Sequence, residues 1–145
     1  MTTSLTTTVT ISINASTEAV WKALTDPAII KQYLFGTQTD TDWKKGSPIY
    51  FRGEWQGTKY EDKGTILDIQ HGRLISYSYW SSMSGTADVP ENYAVVSYEL
   101  EQQQNAIALT IRQEGIRSEE IRNHSEQTWG NVLKAIKNLV EGNVL

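Results

Sequence analysis

Val20-Trp21-Lys22-Ala23-Leu24-Thr25-Asp26-Pro27, near the start of the chain, and Trp129-Gly130-Asn131-Val132-Leu133-Lys134-Ala135-Ile136, near its end, each head an apolar stripe of helical period. Almost everything between them reads as β-strand. A short early helix and a long terminal helix must therefore share one face of a single sheet, an arrangement that encloses space for a small molecule. Upstream of the first stretch, Leu5, Thr7, Val9, Ile11 and Ile13 alternate with Thr6, Thr8, Thr10 and Ser12, the period of a half-buried strand built from β-branched residues. Ser16 or Thr17 can cap the next helix, with Glu18 placed favourably in its first turn. Pro27 interrupts that helix after Asp26 and starts a second one carrying Ile29, Ile30, Tyr33 and Leu34. Two short helices, bent at Asp26-Pro27, are expected.

From Thr37 to Gln113 the pattern predicts an antiparallel meander. Strands are expected around Thr39 to Trp43, Pro48 to Gln56, Tyr60 to Ile69, Arg73 to Ser82, Tyr93 to Glu101 and Ala106 to Gln113. Lys45-Gly46-Ser47, Gln56-Gly57-Thr58, His71-Gly72-Arg73 and Gln102 to Asn105 supply the turns between them. The longest connector, Met83 to Asn92, is polar, and loops of this kind often rim binding sites.

The terminal helix begins at a Ser118 cap, carries Glu119 and Glu120 in its first turn and stops at Gly142. Its inner stripe runs from Ile121 through Ser125, Thr128, Val132, Ile136 and Leu139, flanked by His124, Trp129, Leu133 and Val140. The second half of that stripe is apolar and the first half is not. Burying an unpaired hydroxyl or imidazole costs about 1 to 3 kcal/mol, so His124, Ser125 and Thr128 should not plug a dry core. Two arrangements satisfy this. Either the polar half overlies a polar or solvated cavity while Val132 to Val140 seals the core, or that half frays or lies on the surface.

Composition excludes several function classes. The 145 residues suit one domain, 1–145, able to bury about two thirds of its unfolded surface without a covalent staple. There is no cysteine, which removes disulfides, thiolate metal sites and cysteine nucleophiles. Thirteen lysines and arginines against seventeen acidic residues give a net charge of -4. Nucleic-acid binding needs a concentrated basic face, and none is present. No apolar run approaches the roughly 20 residues that cross a bilayer, so no membrane role is expected. Met1 to Thr10 lacks a basic n-region and a continuous apolar segment, and the expected location is cytoplasmic.

The early helix motif, followed by an aromatic, then Lys45-Gly46-Ser47 before a strand, Gly64-Thr65-Ile66-Leu67-Asp68-Ile69 with Arg73-Leu74, and Trp129 with Leu133 and Ile136, resembles the START-like (SRPBCC) superfamily. More narrowly, it is similar to the branch related to the C-terminal domain of the activator of the heat-shock-protein-90 ATPase. Tyr33 stands where a tryptophan is common in that pattern, Ser47 replaces a frequent second glycine, and no proline lies between Ile69 and Arg73. The resemblance covers nearly the whole chain. It implies an α+β helix-grip fold: a curved antiparallel β-sheet wrapped around a long C-terminal α-helix, with two short helices after strand one.

Candidate cavity residues follow from strand parity. Ile49, Phe51, Gly53 and Trp55 share a face that should meet the terminal helix, and a buried Trp55 indole would need a partner. On the strand from Arg73 to Ser82, Ile75, Tyr77 and Tyr79 share one face, with Leu74, Ser76, Ser78 and Trp80 on the other. Either set can point inward. Tyr98 and Leu100 pair with Leu109 and Ile111 across the last hairpin. Phe51, Trp55, Tyr77, Tyr79, Tyr98, His124, Ser125, Thr128 and Trp129 are thus the candidate ligand-binding residues, and aromatic walls with a few hydroxyl and indole donors suit a mid-sized amphipathic ligand.

Catalytic constellations are sparse. His71 reads as a turn residue, which leaves His124 as the one candidate acid or base. Ser125 diverges from His124 by about 100° on a helix, a poor geometry for a nucleophile and its base. No metal-ligand spacing and no phosphate-binding glycine loop is present, so neither metal nor cofactor is expected. Asp40, Asp42, Glu54, Glu61 and Asp62 read as solvated charges. Arg112 and Glu114 could enter the cavity mouth, but a surface ion pair is the simpler reading. Three functions stay open: binding of a small apolar or aromatic molecule, a cyclase, dehydratase or hydrolase using His124 with a tyrosine, and a chaperone-cofactor or stress-response module contacting a chaperone protein.

Overall fold

A computed structural model describes residues 5–34, 36–82 and 85–142, except for the side chain of Trp55. The Thr-rich opening forms strand β1 (Leu5–Ile13), whose buried Thr7 and Ile13 lie on one face while Thr6, Thr8, Thr10 and Ser12 face solvent. Helix α1 (Thr17–Thr25) is capped by Ser16, whose hydroxyl oxygen accepts from the Ala19 amide at 3.1 Å. Asp26 leaves the helical region and caps α2 (Pro27–Tyr33) in turn, accepting from the Ala28 amide at 2.9 Å. The proline has no amide to lose at that position, so one Asp-Pro step both ends a helix and starts another. Val20, Trp21, Ala23 and Leu24 of α1 are buried, and the Tyr33 hydroxyl donates to the Ala23 carbonyl at 2.9 Å, locking the two helices together.

The remaining strands are β2 (Gln38–Asp40), β3 (Pro48–Trp55), β4 (Thr58–Gln70), β5 (Leu74–Tyr79), β6 (Ala94–Gln102) and β7 (Ile107–Ile116), followed by helix α3 (Glu119–Val140). They form one antiparallel sheet in the order β1-β7-β6-β5-β4-β3-β2. The chain's first strand thus pairs with its last, and β6 to β2 follow as the expected meander. Gln56 and Gly57 both take positive φ, 50° and 82°, the two-residue turn that matches the twist of β3 and β4.

Several boundaries differ from the sequence reading. The strand expected over Thr39 to Trp43 stops at Asp40, because Thr41 and Asp42 use their side chains on the amides of Trp43 and Lys44 and Trp43 takes φ 58°. Strand β7 runs on to Ile116, where it meets Leu5 of β1. Strand β5 ends at Tyr79, and Trp80 keeps only an isolated bridge to Lys63. A register shift between Ile66 and Asp68 leaves Leu67 as a bulge, half exposed on the convex side.

The concave face carries Ile13, Ile49, Ile66, Ile75, Val96, Leu109 and Ile111, packed against Val132, Leu133 and Ile136 of α3. Ser118 caps α3, accepting from the Ile121 amide at 3.2 Å, and Gly142 follows its end with φ 78°. Lys137 ties the helix to β1 by donating to the Ser12 carbonyl at 2.8 Å, while Glu141 accepts from the Asn14 amide at 2.8 Å. This is the α+β helix-grip architecture.

Candidate functional site

Where α3 lies over the strands from β3 to β7, its two halves behave differently. Val132, Leu133 and Ile136 are buried to within a few per cent, whereas no residue from Glu119 to Asn131 is. Beneath the first half a pocket of about 320 Å³ opens against the sheet. Its roof is His124, Ser125, Thr128, Trp129 and Val132. Phe51 of β3, Asp62 of β4, Tyr77 and Tyr79 of β5, Val96 of β6 and Gln113 of β7 form the floor, with Leu34 and Thr37 at the side.

Strand pairing explains the floor. Phe51 stands opposite Asp62, Tyr77 opposite Val96, and Val96 opposite Gln113, so these side chains fall on one pleated face in successive strands. The aromatic rings interlock: Phe51 meets Tyr77 at a 5.5 Å centroid separation and Tyr79 edge-on at 5.9 Å. Tyr77, Tyr79 and Ile75 are therefore the inward set of β5.

Tyr98 also faces inward, one row deeper than the pocket lining. Its hydroxyl bonds that of Tyr77 at 2.9 Å, and its ring meets the Trp129 indole edge-on at 6.2 Å. Trp129 donates its indole N–H to Gln113 Oε1 at 2.8 Å. Thr37 and Tyr60 share a hydroxyl bond of 2.6 Å beside the pocket. His124 lines the pocket while remaining exposed, which puts its imidazole at the mouth. Ile121, taken as the start of the inner stripe, is 49% exposed. The side chain of Trp55 lies outside the described residues.

Two polar members of the floor were not among the expected residues, and one corrects a reading. Asp62 is not a solvated charge: it is only 8% exposed, and its Oδ2 accepts from the Tyr79 hydroxyl at 2.7 Å. Its Oδ1 accepts from the Ser82 amide at 3.1 Å and from the Ser82 hydroxyl at 3.5 Å. Gln113, rather than its neighbours Arg112 and Glu114, reaches the pocket. Arg112 points to the opposite face and lies 3.8 Å from Glu99. Met83 and Ser84 lie outside the described residues. The later part of that connector turns away from the pocket: Thr86 accepts from the Trp80 indole at 3.2 Å, and Asp88 pairs with Lys63, both on the convex side.

Burial sets the state of the phenols. It pushes Tyr77 well above the ordinary phenol value and Tyr98 up to about 12; Tyr79 is raised by burial and further by the Asp62 charge. All three act as neutral hydroxyls at physiological pH. The pocket therefore offers an aromatic floor, neutral hydroxyl donors and one buried carboxylate. Among the described residues, no three of His, Cys, Asp and Glu come together in a way that could hold a metal ion, and none of the helices is long and apolar enough to cross a membrane.

Comparison with known proteins places this architecture. The sequence model of the family described as activator of Hsp90 ATPase homolog 1-like protein matches residues 14–141. The chain belongs to that family. It is thereby a START-like domain, as its helix-grip fold also shows. The solution structure of a protein from Cytophaga hutchinsonii is 40% identical, with a TM-score of 0.85 over 98% of this chain and 97% of that one. The crystal structure of a protein from Mesorhizobium loti has a TM-score of 0.78 at 20% identity, covering 97% of this chain and 100% of the other. The Aha1 dimer from Colwellia psychrerythraea gives 0.74 at 16% identity over 94% and 96%; at these lower identities the likeness is one of fold. A comparison with curated proteins returned no significant match.

Proposed function

We propose that this family member binds a small apolar or aromatic molecule in the pocket between its sheet and the first half of α3. The observation that carries this reading is the pocket itself, about 320 Å³ under a half-helix that has polar residues where core packing would demand apolar ones. That volume lies at the lower end of the range typical of small-molecule sites, which suits a body of one or two rings. Phe51, Tyr77, Val96, Trp129 and Val132 would take the apolar surface out of water, and Tyr79, Ser125, Thr128 and His124 would orient it.

The test is saturable binding of a neutral two-ring probe, 6-propionyl-2-(dimethylamino)naphthalene, followed by its fluorescence. Wild-type protein should enhance the signal with one-to-one stoichiometry. Thr128→Phe fills the pocket from the roof and should weaken binding at least about tenfold while circular dichroism stays unchanged. Absence of saturable binding to the wild type, or unaltered binding in a folded Thr128→Phe, overturns the proposal.

A further inference from the structure

Asp62 is an anomaly in this pocket. A carboxylate taken out of water is normally matched by a cation or a metal, since burying an uncompensated charge is expensive. Asp62 is 8% exposed, yet the hydrogen bonds it receives come from a backbone amide and two neutral hydroxyls, those of Ser82 and Tyr79. The nearby cations are engaged elsewhere. Lys63, the next residue, points to the convex face and pairs with Asp88, and Arg52 bridges Asp40 and Glu61 on that same face. Among the described residues, no lysine, arginine or histidine forms an ion pair with Asp62.

The carboxylate also sits where a ligand would reach it. It lines the pocket floor directly opposite Phe51 in the β3–β4 register, and the Tyr79 hydroxyl that it holds lines the same floor. A carboxylate has about four lone-pair positions, and the donors named occupy three. The Phe51 and Tyr79 rings line the same floor, and an aromatic π-face attracts a cation placed over it.

We infer that the pocket selects amphipathic amines: molecules whose protonated nitrogen pairs with Asp62 while an aromatic or aliphatic body lies under Trp129 and Val132. This rests on the pocket-binding reading above and narrows its ligand class. The ligand's N–H groups donate to Asp62 Oδ2, so the internal charge is matched only in the bound state. No covalent step is involved.

Three probes with one ring system test it: naphthylmethylamine, naphthylmethanol and naphthoic acid, each titrated calorimetrically. The amine should bind at least about tenfold more tightly than the alcohol, and the acid most weakly, because a hydrogen bond between an ammonium and a carboxylate is stronger than one from a neutral hydroxyl and a second carboxylate repels the first. Asp62→Asn should bring amine and alcohol to within about twofold of each other. Glu61→Gln removes an equal charge from the convex face and should leave the preference intact, which separates a local pair from general attraction to an acidic protein. Equal or tighter binding of the alcohol, or an amine preference that survives Asp62→Asn, overturns the inference. If Asp62→Asn does not fold, the order of the three probes on wild type and Glu61→Gln still decides. Failure of all three probes to bind would instead remove the pocket-binding reading.

Discussion

Tyr33, Tyr77, Tyr79 and Tyr98 hold their protons more tightly in the fold than in an unfolded chain, chiefly because burial disfavours the phenolate. A group whose folded pKa is raised contributes stability that is complete below its unfolded value and disappears as pH rises through its folded value. For these phenols the window opens at the ordinary 10.0 and extends through about 12, where Tyr98 ionises. Tyrosinate absorbance should therefore show these four rings silent below pH 10, and the denaturant midpoint should fall between pH 10 and about 12. A midpoint flat across that window would refute the assigned burial. The same parity that buries these rings made two missed residues legible. In β4 the face of Ile66 is shared by Gly64, Asp62 and Tyr60, and in β7 that of Leu109 and Ile111 is shared by Gln113. Reading Asp62 by residue type rather than by alternation with Ile66 is what misplaced it, whereas Arg112, on the other face, forms the surface ion pair expected of it. The hydrogen bond from Trp129 to Gln113 was not readable at all, because sixteen residues of chain separate the partners.

Among the elements, the helices were the most legible because their ends are written in side chains: Ser16, Asp26-Pro27, Ser118 and Gly142 each mark a terminus by a local bond or a required φ. Strand ends depend on partners across the sheet. The excess length of β7 reflects pairing with β1, about a hundred residues away, and nothing near Gln113 announces it. The bend of β4 has a testable cause. Gly64 lies on the concave face where a Cβ would stand 1.6 Å from the Ser78 carbonyl oxygen, a backbone atom that cannot yield without moving β5. Gly64→Ala should cost about 3 kcal/mol or more in chemical denaturation. Gly130→Ala, inside α3 with no heavy atom near the added methyl, should stabilise by about 0.5 to 1 kcal/mol. A neutral Gly64→Ala would mean that the close approach of β4 and β5 is not what curves the sheet.

Across the whole molecule, apolar packing is unevenly shared. One end is a continuous core in which α1, α2 and the second half of α3 close over the sheet; at the other, the first half of α3 spans a pocket and its residues stay at least partly exposed. Opening of a segment costs roughly what its burial contributes, so the two halves of one helix should differ in stability although their backbone hydrogen bonds are alike. Amide hydrogen exchange tests this directly. Amides of residues 123–130 should exchange at least about tenfold faster than those of 133–139, a gap of about 1.4 kcal/mol in opening free energy. A saturating pocket ligand binds only the closed roof, and should slow the first group while leaving the second nearly unchanged. Uniform protection along α3 would mean that the roof is held by something other than the packing seen here. Ligand-induced protection confined to residues 133–139 would move the binding site to the sealed end.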